Sequence, residues 1–331
     1  MWSTITPITG FEVLTACGSM VLNLRSERIK ATMEVTMLDR LVEIFCEVDD
    51  FCKAFQDTFE SHLIGNGQRP RGPDPGLADA EIITLLLVLH SSGFKYLKNF
   101  YNSPMGEVLR RYFPGMPCYE RFIVLQQRAF LPLVAFLFSK LGKKTGIYYI
   151  DSTALPVCHN RRIGRHKTFT GLAARGKTSM GWFFGFKLHL VFNDLHEIVA
   201  LKLTPGHVSD TTPVPALTKD LIGKLFGDKG YLGKKLAEER LRRGLTLFTR
   251  VRKNMKSLPL SMIDKMLLNG RNIAETIIGS SKGFSSLNLP KHRLPSNGFL
   301  HIMAAIVAYQ LDPIEPKHAF FSHRPPAITA R

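Results

Sequence analysis

The apolar positions of this chain change period near residue 146. From Met37 to about Gly142 they recur every three to four residues, which predicts helices over Met37–Phe59, Ala80–Ser92 and Tyr119–Leu141, the last kinked at Pro132. In the first of these, Leu38, Leu41, Val42 and Phe45 share one face. The Pro- and Gly-rich link Gln68–Gly76 separates the first helix from the second. Beyond Gly146 the period shortens to two. Ile147–Asp151 reads as a strand, and in Trp182–Asn193 the series Phe184, Phe186, Leu188, Leu190, Phe192 alternates with Gly185, Lys187, His189, Val191, so one face is buried.

A turn at Asn193-Asp194 leads into a third strand, Glu197–Leu203. Helix and strand then alternate: helix Pro213–Ile222, strand Lys224–Asp228, helix Tyr231–Arg243, strand Leu245–Arg250. A helical region follows over Ile263–Lys282, and Ser296–Leu311 closes the core with Phe299, Met303, Ile306 and Tyr309 at helical spacing. The expectation is an α/β protein: a mixed five-stranded sheet of order 3-2-1-4-5 flanked by helices, behind an all-helical N-terminal domain. The boundaries read as 37–144 for the helical domain and 145–311 for the sheet domain. Residues 1–36 do not join the helical pattern and read as a non-native or disordered extension, with a natural start at Met33 or Met37. Residues 312–331, with Pro313, Pro316, Pro325 and Pro326, read as a disordered tail.

Composition narrows the partners. The chain has 331 residues, is 45% apolar and carries a formal charge of +17, which favours nucleic acid over acidic small molecules. No run approaches the ~18 consecutive apolar residues of a membrane helix, so no membrane partner is expected. Five sparse cysteines suit a reducing compartment, and Glu12 interrupts the one candidate signal-like stretch, Ile8–Leu22. Cytoplasmic location follows as the expectation.

In so basic a chain the placement of acids is informative. Asp151 closes the apolar run Ile147–Ile150, Asp228 ends Leu225-Phe-Gly-Asp, and Glu275 sits in the helical stretch Arg271–Ile278. Strands one and four are neighbours in the expected order, so Asp151 and Asp228 can meet at their carboxyl ends. Hydroxide attack on a phosphodiester needs an activated nucleophile and neutralised charge, which two Mg²⁺ (or Mn²⁺) ions on carboxylate oxygens supply. Asp151, Asp228 and Glu275 are therefore the candidate catalytic and metal-binding residues. At ~100° per residue, Arg271, Glu275 and Lys282 share one helix face, placing two phosphate-binding cations beside an acid.

The motifs Tyr149-Ile-Asp-Ser-Thr-Ala-Leu-Pro-Val157, Trp182–His189, Leu203-Thr-Pro-Gly-His-Val-Ser-Asp210 and Gly227-Asp-Lys-Gly-Tyr-Leu232 resemble those of bacterial insertion-sequence transposases of the DDE class. The resemblance spans roughly Met37–Leu311, and Arg271, Glu275 and Lys282 match the Arg-x3-Glu-x6-Lys signature of many relatives. Leu268 departs from it, standing where the fuller signature has Tyr. The resemblance implies an RNase H-like catalytic domain, metal-dependent cleavage at element ends that frees a 3′-hydroxyl, and attack of that hydroxyl on target DNA. It also implies double-stranded DNA partners, namely terminal inverted repeats and target, and a homo-oligomer, in the simplest case a dimer. Two other readings use the same acids differently: a metal-dependent nuclease without strand transfer, and a catalytically inactive DNA-binding relic.

Between Ser152 and Asn193 there is no Asp or Glu, while Arg161, Arg162, Arg165, Lys167, Arg175, Lys177 and Lys187 accumulate. A second acid-free segment holds Arg250, Arg252 and Lys253. Both are expected to track a DNA backbone, with Lys187 and His189 turned towards the site on the polar face of their strand. His207 and Asp210 are candidates for a supporting role. Cys158, His159 and His166 lack the second cysteine pair of a zinc site and read as part of the basic loop.

Overall fold

The computed structural model describes residues 40–58, 76–231, 238, 240–249, 261–270, 272–280 and 286–312. Helix α1 (40–58) is followed by α2 (Asp79–Ser91), α3 (Leu97–Tyr101), α4 (Pro104–Tyr112), α5 (Tyr119–Leu125) and α6 (Phe130–Ser139). The expected long helix Tyr119–Leu141 is broken by a 3-10 segment, Gln126–Ala129, just ahead of Pro132. Proline has no N–H for the carbonyl four residues back and its ring crowds that carbonyl, so the interruption falls where the sequence placed the kink. Tyr119–Ser139 has the length and hydropathy to cross a membrane, but Phe122, Leu125, Leu133, Phe136 and Leu137 are buried in the protein's own core.

The strands are β1 (Ile147–Cys158), β2 (Ala174–Thr178), β3 (Gly181–Asn193), β4 (Ile198–Pro205), β5 (Gly223–Gly227) and β6 (Leu245–Thr249), with a short α7 (Val214–Leu217) between β4 and β5. β3 pairs antiparallel with β1 on one side and with both β2 and β4 on the other, while β5 pairs parallel with β1 and β6 with β5. Read along β4-β3-β1-β5-β6, this is the 3-2-1-4-5 order expected from the pattern. The sheet has six strands where five were expected, because Ala174-Arg-Gly-Lys-Thr178 is too polar to register as a strand. β1 runs seven residues past Asp151, since Ser152 and Thr153 are held by pairing with His189 and Leu188 despite their polarity. The helix expected over Pro213–Ile222 shrinks to four residues.

Within the stretch expected as helical over Ile263–Lys282, the described residues form α8 (Met262–Gly270) and α9 (Asn272–Ser280), with Arg271 outside the described residues. The last helix, α10 (Pro295–Leu311), packs against α2 and α6. Its carboxyl end is tied down three ways: Tyr309 Oη donates to the His196 carbonyl at 2.7 Å, Gln310 Oε1 accepts from Ile198 N at 2.9 Å, and Arg40 donates to the Leu311 carbonyl at 2.7 Å. The last of these places a cation at a helix C-terminus, where it is stabilising.

One core joins α1, α2, α6 and α10 to the sheet face bearing Leu188, Leu190 and Phe192. Each such side chain contributes about 1.5–3 kcal/mol on burial. The opposite face packs Tyr148, Ile150, Val191 and Leu225 against α7. Asn193 makes the β3–β4 turn: its Oδ1 accepts from Leu195 N and Glu197 N at 3.0 and 2.9 Å, with His196 at φ 67°.

Burial also depresses several histidines, His90 to about 3, His189 and His292 to about 4, and His301 well below its ordinary value. An unfolded histidine titrates near 6.5, so below that pH the unfolded chain binds protons the folded one refuses. The stability is full above about pH 6.5 and is lost as pH falls towards 4. At pH 5 each fully buried histidine costs about 2 kcal/mol. Urea unfolding at pH 7 and pH 5 should show a drop of several kcal/mol; equal free energies would contradict this.

Candidate active site at the β1 and β5 strand ends

β1 and β5 run parallel, with Ile150 opposite Gly227. Asp151 and Asp228 each follow by one residue, so the two acids sit side by side on strands about 5 Å apart. Strand alternation assigns the faces. Tyr148, Ile150 and Leu225 belong to the cluster on one side, and Tyr149 and Phe226 to a cluster with Leu267 and Leu268 of α8 on the other. Asp151, inside β1, shares the parity of Tyr149, which puts it on the α8–α9 side, and Asp228 follows directly on the last residue of β5. Gly227 is small for a reason: a Cβ there would press on Ile150 and the Tyr231 ring.

Glu275 lies on α9, which packs against β1 through buried Ala274 and Ile277, leaving Glu275 exposed. Among the described residues no three Asp, Glu, His or Cys side chains converge as a metal site. The oxygen chemistry of the Asp151–Asp228 pair fits a hard divalent cation. Glu275 is on the element beside them but does not close a three-ligand shell in this arrangement.

Around the pair stands a set of groups that the sequence reading only partly anticipated. Ser152 N donates to Asp151 Oδ1 at 2.8 Å, and Ser152 Oγ donates to Asp210 Oδ1 at 2.9 Å. Lys187 Nζ donates to the same Asp210 oxygen and to the Val208 carbonyl, each at 3.1 Å. Tyr231, at the end of the turn that Tyr231 N closes on the Asp228 carbonyl, buries its phenol here. Burial pushes that phenol far above its ordinary range, and the Asp151, Asp210 and Asp228 charges push it further, with Ser152 offsetting part. The Tyr231 hydroxyl is therefore a neutral group sensing all three aspartates. Its signal in the sequence was its place three residues after Asp228, inside Gly-Asp-Lys-Gly-Tyr.

Two residues expected at the DNA are turned inward instead. Lys187 is buried and paired with Asp210. His189 is fully buried, with Nε2 2.9 Å from Thr204 Oγ1. Both point to the polar face of β3, as the alternation required, but there the loop after β4 brings the Val208 carbonyl and Asp210 to Lys187, and the Thr204 side chain meets His189. His207 is exposed, whereas Asp210 has the supporting position that was open for both. Arg250, Arg252, Lys253, Arg271 and Lys282 lie outside the described residues.

Arg161, Arg162 and Arg165 are exposed on a 3-10 segment, Asn160–Arg165, and Lys167 is exposed just beyond. Asn160 Nδ2 donates to the Trp182 carbonyl at 2.7 Å, tying this segment to the β2–β3 hairpin. The hairpin carries exposed Arg175 and Lys177, and near its tip Met180 and Trp182 are 95% and 60% exposed. Lys177 Nζ lies 5.6 Å from the centre of the Trp182 ring.

No curated protein matches the chain. Among solved structures it is similar to piggyBac transposase in a synaptic complex with hairpin DNA, at 12% identity and a TM-score of 0.47, over 81% of this chain and 72% of that one. Residues 141–295, which hold Asp151, Asp228 and Glu275, match the family model of the Transposase DDE domain.

Proposed function

We propose that this chain is a DNA transposase of the bacterial insertion-sequence type, with an RNase H-like catalytic domain. It cuts a strand at an element end to free a 3′-hydroxyl and transfers that hydroxyl into target DNA. The reading is carried by the pairing that brings Asp151 and Asp228 together at neighbouring strand ends, within residues that match a Transposase DDE domain. In each step an oxygen nucleophile, water first and the 3′-hydroxyl second, forms a new P–O bond. The 3′-oxygen of the broken linkage leaves with its bonding pair.

Asp151, Asp228 and Glu275 are the residues that would hold two divalent cations, Mg²⁺ or Mn²⁺, whose chemistry is to neutralise charge on the attacking and leaving oxygens. The chain's own groups prepare that place. Lys187 offsets the Asp210 charge, Ser152 links Asp210 to the Asp151 carboxylate, and the buried, neutral Tyr231 phenol lies within electrostatic reach of all three aspartates. The remaining assignments rest on the sequence. Residues 37–144 bind element ends or a second subunit of a dimer, and the protein works in the cytoplasm.

The test is joining of end-containing DNA in Mg²⁺ or Mn²⁺, with short inverted repeats flanking the gene supplying the ends. Cleavage without joined products would favour a nuclease, and binding without either an inactive relic. DNA affinity is expected to fall steeply with salt. If the five hairpin and Asn160–Arg165 cations each neutralise one phosphate, log K should fall with log salt at a slope of about −4.5. Arg175→Glu with Lys177→Glu should flatten that slope by about 2; an unchanged slope would remove the hairpin from the DNA surface.

A further inference from the structure

The β2–β3 hairpin ends in two apolar side chains that join no core among the described residues. Strand alternation divides the hairpin into two faces. Gly176 and Phe183 are paired and turn inward: Phe183 is buried, and a Cβ on Gly176 would press on the Gly206 carbonyl and the Phe183 ring. Arg175, Lys177 and Trp182 take the other face, with Lys177 opposite Trp182. Met180, in the two-residue turn, is 95% exposed and Trp182 is 60% exposed, although Lys177 Nζ stands 5.6 Å from its ring centre.

The tip is braced by its own turn. Thr178 Oγ1 accepts from Met180 N at 3.2 Å and donates to the Gly181 carbonyl at 3.4 Å, and Gly181 takes a φ of 114° that favours glycine. Cations then flank Trp182 on both edges of β3. On one edge β2 brings Arg175 and Lys177. On the other, β1 ends at Cys158 opposite Phe184, and Asn160 bonds the Trp182 carbonyl at the head of the segment holding Arg161, Arg162 and Arg165. All of these cations are exposed, and no acid lies between Ser152 and Asn193. Such a surface repels a second copy of itself and attracts a polyanion. An apolar side chain raised among phosphate-binding cations is the means by which proteins part stacked base pairs and kink a duplex.

We propose that the hairpin tip is a wedge for double-stranded DNA: Met180 enters between two base pairs, Trp182 packs on the nucleotide so exposed, and the flanking cations hold the phosphates on either side. The proposal rests on the reading of the chain as acting on DNA and adds that the duplex is opened and bent. Asp151 is opposite Leu190, and Met180 precedes Leu190 by ten residues, so about 30 Å of strand separate the tip from the level of that acid. That is roughly nine base pairs of duplex at ~3.4 Å each. The step that opens is therefore remote from the linkage that is cut, and the wedge is tested without metal.

The probes are duplexes taken from the DNA that flanks the gene, each carrying one 2-aminopurine at a different position, with the full chain added. Fluorescence should rise at least about twofold at one base step, and energy transfer between the duplex ends should report a kink of about 20–90°. Met180→Ser with Trp182→Ser should abolish both signals and weaken binding about tenfold. The same variant should keep the parent's salt slope, because no cation is lost, and its unfolding midpoint, because both side chains are exposed. Binding with no rise at any position, or a rise that survives in the double variant, overturns the wedge and leaves the DNA reading standing. No DNA binding overturns both. If the double variant instead changes the sedimentation of the chain without DNA, the tip is a contact between copies and the proposal falls.

Discussion

Asp228→Asn is expected to abolish strand joining while leaving DNA binding and the fold intact. Losing one group that stabilises developing charge costs about 10²–10³ in rate even where that group is uncharged, so removal of a shared carboxylate should cost at least about 10³. The fold should be little affected, because the amide keeps the shape and volume of the carboxylate at the strand end. Joining assays beside thermal unfolding should therefore show activity lost and a midpoint close to the parent's. Asp151→Asn should behave alike, and Glu275→Gln should lose activity with an unchanged midpoint, because Glu275 is exposed. Full joining by any one variant would remove that residue from the site; a midpoint several degrees lower in Asp228→Asn would mean that it is structural.

The pair of aspartates was legible because both end apolar runs, and the order 3-2-1-4-5 makes those runs neighbours. What surrounds them was not. Lys187 and His189 were correctly assigned to the polar face of β3, but periodicity says only which face a residue takes, not what covers it. Here Asp210 pairs with Lys187 and Thr204 meets His189, and the expected DNA contacts become internal ones. β2 was missed for a related reason: Arg175 and Lys177 give it no apolar face, and its backbone is held by β3 alone. The buried polar cluster of His90, Ser286 and His301 was invisible because its members stand about 200 positions apart and only the packing of α10 on α2 brings them together.

Gly185→Ala is expected to destabilise the protein by about 3–5 kcal/mol, the larger part of it at one crossing of backbones. β2 and β4 lie end to end along the same edge of β3, and Gly185 sits at their junction. It is opposite Ala174 of β2 and Pro156 of β1, and its carbonyl accepts from Gly206 N at 2.9 Å, just past β4. A Cβ at Gly185 would fall inside the van der Waals distance of the Leu155 carbonyl oxygen and lie 3.0 Å from the Leu155 carbonyl carbon and Pro156 Cα. These are backbone atoms of a paired strand, so no side chain can rotate away, and β1 must part from β3. Overpacking of this kind costs about 1–3 kcal/mol, and each ladder hydrogen bond broken adds about 1 kcal/mol. For a unit of this size the midpoint should fall by roughly 6–15 °C. Gly164→Ala is the matched control, since nothing lies within 4 Å of a Cβ there. If Gly185→Ala melts with the parent, β1 and β3 do not approach as closely as this register requires, and the course of β1 beyond Asp151 would need redrawing.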